Sequence, residues 1–154
     1  MKREAIALLL GYFQNQMQVI DNILQSLQAT QPDNQERVVV TGYYLHNLYS
    51  AAEDLFEEVA SAFENQLEPR GSYHRELLQR MSIDVPTIRP RLVSPDSLKL
   101  LDDLRGFRHV FRHSYTYTLD PQRVAQLRQT VLDRWNVVQE DLTRFQQFLE
   151  SQLG

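Results

Sequence analysis

Apolar side chains recur at every third or fourth position through four stretches of this chain, and that spacing commits it to helices. Ile6, Leu10, Phe13, Met17, Ile20, Leu24 and Leu27 form the first stripe. Leu45, Leu48, Ala52, Leu55, Val59 and Ala62 form the second. A shorter stripe runs through Leu100, Leu104, Phe107 and Phe111, and the last takes in Val124, Leu127, Val131, Trp135, Val138, Leu142, Phe145 and Leu149. A helix with one apolar face is not stable alone, so these faces are expected to pack together as a core. No convincing β alternation is present, and Val38-Val39-Val40 is too short to carry a strand.

The breaks agree with the stripes. Thr30-Gln31-Pro32-Asp33-Asn34 separates the first two helices, and Pro69-Arg70-Gly71 ends the second. A short helix is predicted from Tyr73 to Met81. Pro86, Pro90 and Pro95 make residues 84–95 extended and loop-like. Ser94 or Asp96 starts the next segment, and Asp120-Pro121 starts the last, with Asp as N-cap and Pro at the first helical position. The predicted fold is all-α, an antiparallel bundle of four long helices plus one short helix, in a single domain over residues 1–154.

A chain of 154 residues can bury a core of its own without staples. It has no cysteine, which excludes disulfides, thiolate metal sites and cysteine nucleophiles, and fits a reducing cytoplasm. No signal-peptide cleavage site and no sufficiently long apolar run is present, so neither export nor a membrane span is expected. The net charge of −4 argues against a general nucleic-acid coat. Its sign changes along the chain, however. Residues 35–68 carry one Arg against seven acids, whereas residues 70–113 carry eight Arg and one Lys against five acids. Such a basic segment can bind phosphate locally, or it can simply be a solvated face.

Gly-rich phosphate loops, paired zinc ligands of the HExxH kind and nucleophile elbows are all absent. One segment stands out. Arg105 to Tyr117 packs three arginines, two histidines and two tyrosines into 13 residues. On a helix at about 100° per residue, Leu100, Leu104, Phe107 and Phe111 face the core, and Arg105, Arg108, Arg112 and Tyr115 flank them. His109 and His113 point largely away. Arg108 and His113 would stand about 140° apart on a straight helix. Their convergence requires the helix to end near His113, or a second copy of the chain to supply partners, and this geometry points to a dimer.

These residue types suit RNA cleavage. A ribose 2′-hydroxyl can attack the neighbouring phosphorus without a metal, given a base, an acid and cationic support. Histidine suits the proton transfers, arginine the charge growing on phosphoryl oxygens, and tyrosine can orient a nucleotide. A basic helix face beside packed phenylalanines is the alternative. The His109/His113 spacing would also admit a metal ion, but the arginines would repel it and the nearest carboxylate on that face, Asp102, is distant, so no metal is expected.

The run Arg108-His109-Val110-Phe111-Arg112-His113-Ser114-Tyr115 matches the Arg-x4-His-x-Tyr pattern, and the chain resembles HepT-like HEPN toxins. Tyr49-Ser50-Ala51-Ala52-Glu53-Asp54-Leu55-Phe56 and Tyr73-His74-Arg75-Glu76-Leu77-Leu78 extend the resemblance, which covers most of the chain. It implies a HEPN-like bundle and a cytoplasmic homodimer acting as the toxin of a type VII toxin–antitoxin pair. It further implies a metal-independent, cofactor-free endoribonuclease acting on RNA, with tRNA as a candidate, the Arg/His pairs of both chains lining one cleft. Arg108 would stabilise phosphate and His113 would handle protons. Tyr115 would accept AMP from a minimal nucleotidyltransferase (MNT) antitoxin. Such a group adds bulk and negative charge where RNA phosphate would sit. Arg105, His109 and Arg112 would support RNA binding, and Tyr117 is a second acceptor candidate outside the motif spacing. Neither DNA nor a membrane is an expected partner. Glu53 could hold the motif arginine, but within its acidic run it reads more readily as a solvated acid. The alternative function is a non-catalytic substrate-binding or dimerisation module beside a nucleotidyltransferase.

Overall fold

The computed structural model describes residues 3–64, 73–116 and 118–154. Its helices are α1 (Arg3–Ala29), α2 (Gln35–Phe63), α3 (Tyr73–Met81), α4 (Pro95–Arg112) and α5 (Pro121–Leu153), with a 3₁₀ turn at Ser114–Thr116. No strand occurs among the described residues; Val85 and Arg89 form an isolated bridge in the proline-rich loop. The all-α expectation of four long helices and one short one holds. So does the predicted span of α3.

Local chemistry sets the boundaries. Asn34, Ser94 and Asp120 each accept a hydrogen bond from a first-turn amide, that of Arg37, Ser97 and Gln122 respectively. These bonds satisfy donors that the helix itself leaves open. Pro95 and Pro121 follow their caps directly, where a missing N–H costs nothing. The Pro69-Arg70-Gly71 stop lies outside the described residues.

Paired contacts give the arrangement. Arg3, Phe13 and Leu27 of α1 meet Leu153, Phe145 and Arg128 of α5, so these two helices run antiparallel. Gln16 donates to the Ala51 carbonyl, setting α1 antiparallel to α2 across their short loop. Gly42 and Ser50 of α2 meet Phe111 and Arg108 of α4 in the same sense. Asp141 of α5 accepts from both the Ser94 amide and hydroxyl at 2.9 Å, pinning the start of α4. The four long helices therefore form a ring around one core, with Phe13, Phe56, Phe107 and Phe145 fully buried inside it.

Two buried arginines fasten the periphery. Arg128 donates to the Leu27 and Gln28 carbonyls at the end of α1. Arg89, with a fully buried side chain, pairs with Glu64 at 3.0 Å and also donates to the carbonyls of Arg80, Ile83 and Pro90. That cluster binds the loop after α3 to the end of α2.

Candidate functional site

The last two turns of α4 carry the basic segment, and the helix stops within it. Arg112 is the final helical residue, and His113 is the C-cap with φ −106° and ψ 9°. The Ser114 hydroxyl donates to the Phe111 carbonyl at 2.7 Å, closing the end of the helix. This local stop answers the angular problem posed by Arg108 and His113. Both line one cleft of about 310 Å³, together with His74, Arg75, Arg105, His109 and Arg112.

Each basic group is held differently. Arg105 forms an ion pair with Asp102 at 2.8 Å. Arg108 donates to the Ser50 hydroxyl at a long 3.4 Å, so little of its hydrogen-bonding capacity is committed. Asp54 lies near enough for the Arg108 charge to act on it. Burial and then the charge of Glu57 push the Asp54 carboxyl up, and Arg108 opposes them. Arg112 is exposed. Four arginines converging on a small cleft make an anion site, because the guanidinium fork matches phosphate oxygens.

The histidines are placed with some care. His113 Nδ1 lies 2.8 Å from the His109 carbonyl oxygen. A carbonyl only accepts, so Nδ1 carries the hydrogen in this contact, which fixes how the ring is turned. The two imidazoles lie against each other at a tilt of 40°, with centroids 4.4 Å apart. Among the described residues no group of three His, Asp or Glu is placed to hold a metal ion. His46 of α2 packs on Phe111 at 5.4 Å. Burial lowers its pKa, Arg108 and Arg112 add to that, and the Asn47 contact opposes it.

Tyr115 is 83% exposed in the 3₁₀ turn, and its ring centroid is 6.5 Å from that of His113. It stands beside the cleft rather than among the lining residues. Tyr117 lies outside the described residues.

Glu53 corrects a sequence expectation. It is no solvated acid: its side chain is 6% exposed, and Oε1 lies 2.7 Å from His74 Nδ1. Its partner is thus a histidine of α3 and not the motif arginine. On α2 the carboxylate falls four residues after the buried Tyr49, whose hydroxyl, like Glu53 Oε2, has no hydrogen-bond partner. Burial and then the Glu53 charge push the Tyr49 phenol well up. His74 and Arg75 were the cleft residues that the motif could not reveal, since they come from another helix; their sequence signals are membership of the basic segment and of the Tyr73–Leu78 stretch.

No helix among the described residues is long and apolar enough to cross a membrane. No curated protein and no solved structure matches the chain. A family model described as HepT-like protein matches residues 40–149, a span that contains α3, α4 and every described residue of the cleft. By that match over most of its length, the chain belongs to the HepT-like family.

Proposed function

We propose that this protein is a toxin of the HEPN type, a metal-independent endoribonuclease that cleaves RNA with Arg108 and His113. The observation that carries the reading is the meeting of Arg108, Arg112 and His113 at one cleft around the stopped end of α4. Arg108, loosely held, binds a phosphoryl oxygen and stabilises the charge that grows there. His113 exchanges protons through Nε2. Arg105, His109 and Arg112 contact RNA, and tRNA is one candidate substrate.

Two copies form the working unit, with their clefts joined. Val39, Val40 and Tyr43 expose apolar surface on the part of α2 that packs under Phe111, and we assign this surface to the second copy. A minimal nucleotidyltransferase antitoxin then silences the toxin by transferring AMP to Tyr115. The exposure of that phenol and its nearness to His113 support this reading: an adenylyl phosphate there would compete with RNA phosphate for the arginines.

The test is cleavage of total RNA in EDTA by the unmodified protein and by His113→Ala. Cleavage by the wild type that vanishes in the variant is the expected result. No cleavage by a folded wild-type dimer would overturn the reading and favour the binding module.

A further inference from the structure

We infer that His74, held by the buried Glu53, is a second proton-transfer residue of this cleft and removes the proton from the attacking ribose 2′-hydroxyl. The inference rests on the ribonuclease reading and assigns that reaction a base from outside the motif.

Four observations converge on the pair. His74 Nδ1 and Glu53 Oε1 are 2.7 Å apart, the length of a charge-assisted bond. The Glu53 side chain is almost fully buried and its second oxygen is unpartnered, an arrangement that costs stability. The His74 side chain, by contrast, is 40% exposed, and His74 lines the cleft with Arg108 and His113. Finally, α3 is clamped where it begins: the Tyr73 hydroxyl donates to Glu57 Oε1 at 3.0 Å, one turn along α2 from Glu53.

The chemistry follows from which nitrogen is committed. The carboxylate accepts from Nδ1–H, which fixes the ring and its tautomer. Nε2 makes no hydrogen bond among the described residues and carries the lone pair. The carboxylate stays on the Nδ1 side of the ring, so Nε2 is turned away from Glu53. His113 is oriented in a parallel manner, through Nδ1 and the His109 carbonyl. The cleft thus holds two imidazoles, each anchored through the nitrogen nearer its own backbone.

The step balances. His74 Nε2 takes the 2′-hydroxyl proton as the 2′-oxygen forms a bond to phosphorus. The bond from phosphorus to the 5′-oxygen breaks, and the His113 imidazolium gives that oxygen its proton. The products are a 2′,3′-cyclic phosphate and a 5′-hydroxyl. His74 ends protonated and His113 neutral, and proton exchange with water resets both. Arg108 and Arg112 stabilise the phosphoryl charge throughout.

The experiment uses the full chain and an oligoribonucleotide in two forms, with 5′-oxygen or 5′-sulfur as the leaving atom. His74→Ala and His74→Gln are each expected to lower kcat by about 10²–10⁴-fold. His74→Gln keeps a donor for Glu53 and serves as the folded control, checked by its thermal melt. The 5′-sulfur leaves without a proton, so it restores cleavage to His113→Ala and not to either His74 variant. Added imidazole partly rescues His74→Ala. Glu53→Gln, which tests a positioning role, lowers kcat by about 10²-fold with little change in KM. Wild-type rates in His74→Gln, with His113→Ala inactive, would overturn the inference and leave the ribonuclease reading standing. Restoration of both His74 variants by 5′-sulfur would make His74 the acid and overturn it too. No cleavage by the wild type would remove both.

Discussion

Gly42 of α2 lies directly against the ring of Phe111 of α4: a Cβ at this position would stand 3.1 Å from Cδ1 and Cε1 of the ring and 3.2 Å from Leu119 Cδ1. The glycine lets two helices approach where the cleft-bearing end of α4 must be held. His46, one turn along α2, packs at a tilt against the same ring. Replacing Gly42 sets two effects against each other. A side chain improves helix propensity by up to about 1 kcal/mol, while overpacking a filled site costs about 1–3 kcal/mol. For Gly42→Ala the two nearly cancel. Gly42→Val gains less propensity and carries more bulk, so it is expected to lose about 1–3 kcal/mol in urea unfolding. A Gly42→Val protein as stable as the wild type would show that the contact yields easily.

Arg89 and Glu64 predict a larger effect. The guanidinium is fully buried and satisfies a carboxylate and three carbonyls at once. Arg89→Met removes the charge and takes from Glu64 its buried cation and from three carbonyls a donor, for an expected loss of about 3–5 kcal/mol. In a domain of this size that lowers Tm by about 6–20 °C. The double variant Arg89→Met/Glu64→Gln is expected to recover part of the loss, because no buried charge remains uncompensated. Calorimetry on the three proteins checks this, and a double variant worse than the single one would contradict it.

His46 sets a pH dependence. Burial holds its pKa below the ordinary value, and Arg108 and Arg112 push the same way. The unfolded chain then binds more protons at this site than the folded one, so stability falls as pH drops through the unfolded value of about 6.5. His46→Gln should flatten that part of the curve, measured as urea midpoints at about pH 7.5 and 5.5. An anion bound at Arg108 and Arg112 should raise the His46 pKa in an NMR titration, and burial, the larger cause, should keep the rise incomplete. A downward shift on binding phosphate would refute the assignment.

The periodicity of the apolar residues made the four long helices readable; Asp120 marked the start of α5 because caps are local chemistry, and of Ser94 and Asp96 it is Ser94 that caps α4. The site was readable as far as it lies on one segment: Arg105, Arg108, His109, Arg112 and His113 do line one cleft. What the sequence could not disclose depends on pairing across the fold. Glu53 looked solvated among its acidic neighbours, yet it is buried against His74, and a count of charges cannot tell that one acid in the run turns inward. Likewise Arg89 was counted in the basic segment, although it is spent on Glu64 in the interior.

Arg108 provides the sharpest separation of function from stability. Both it and Arg89 are arginines of the basic segment, but they are held in opposite ways. Among the described residues, Arg108 has a single side-chain hydrogen bond, the 3.4 Å contact to Ser50. Removing a group so lightly engaged should change stability by no more than about 0.5 kcal/mol. Asp54 would lose a compensating charge, and its carboxyl, already pushed up by burial and by Glu57, would be pushed further in the same direction. On the proposed function, the same change removes the stabilisation of a developing phosphoryl charge and should lower kcat by about 10²–10³-fold. Arg108→Lys keeps the charge but loses the planar fork, so it should restore only part of the rate. The pair of measurements is a thermal melt and single-turnover RNA cleavage on wild type, Arg108→Ala and Arg108→Lys. A variant that melts normally and does not cut would mark Arg108 as a residue kept for its chemistry. One that melts early would mean that its contacts with α2 hold the fold, and any loss of cleavage would then carry no mechanistic weight.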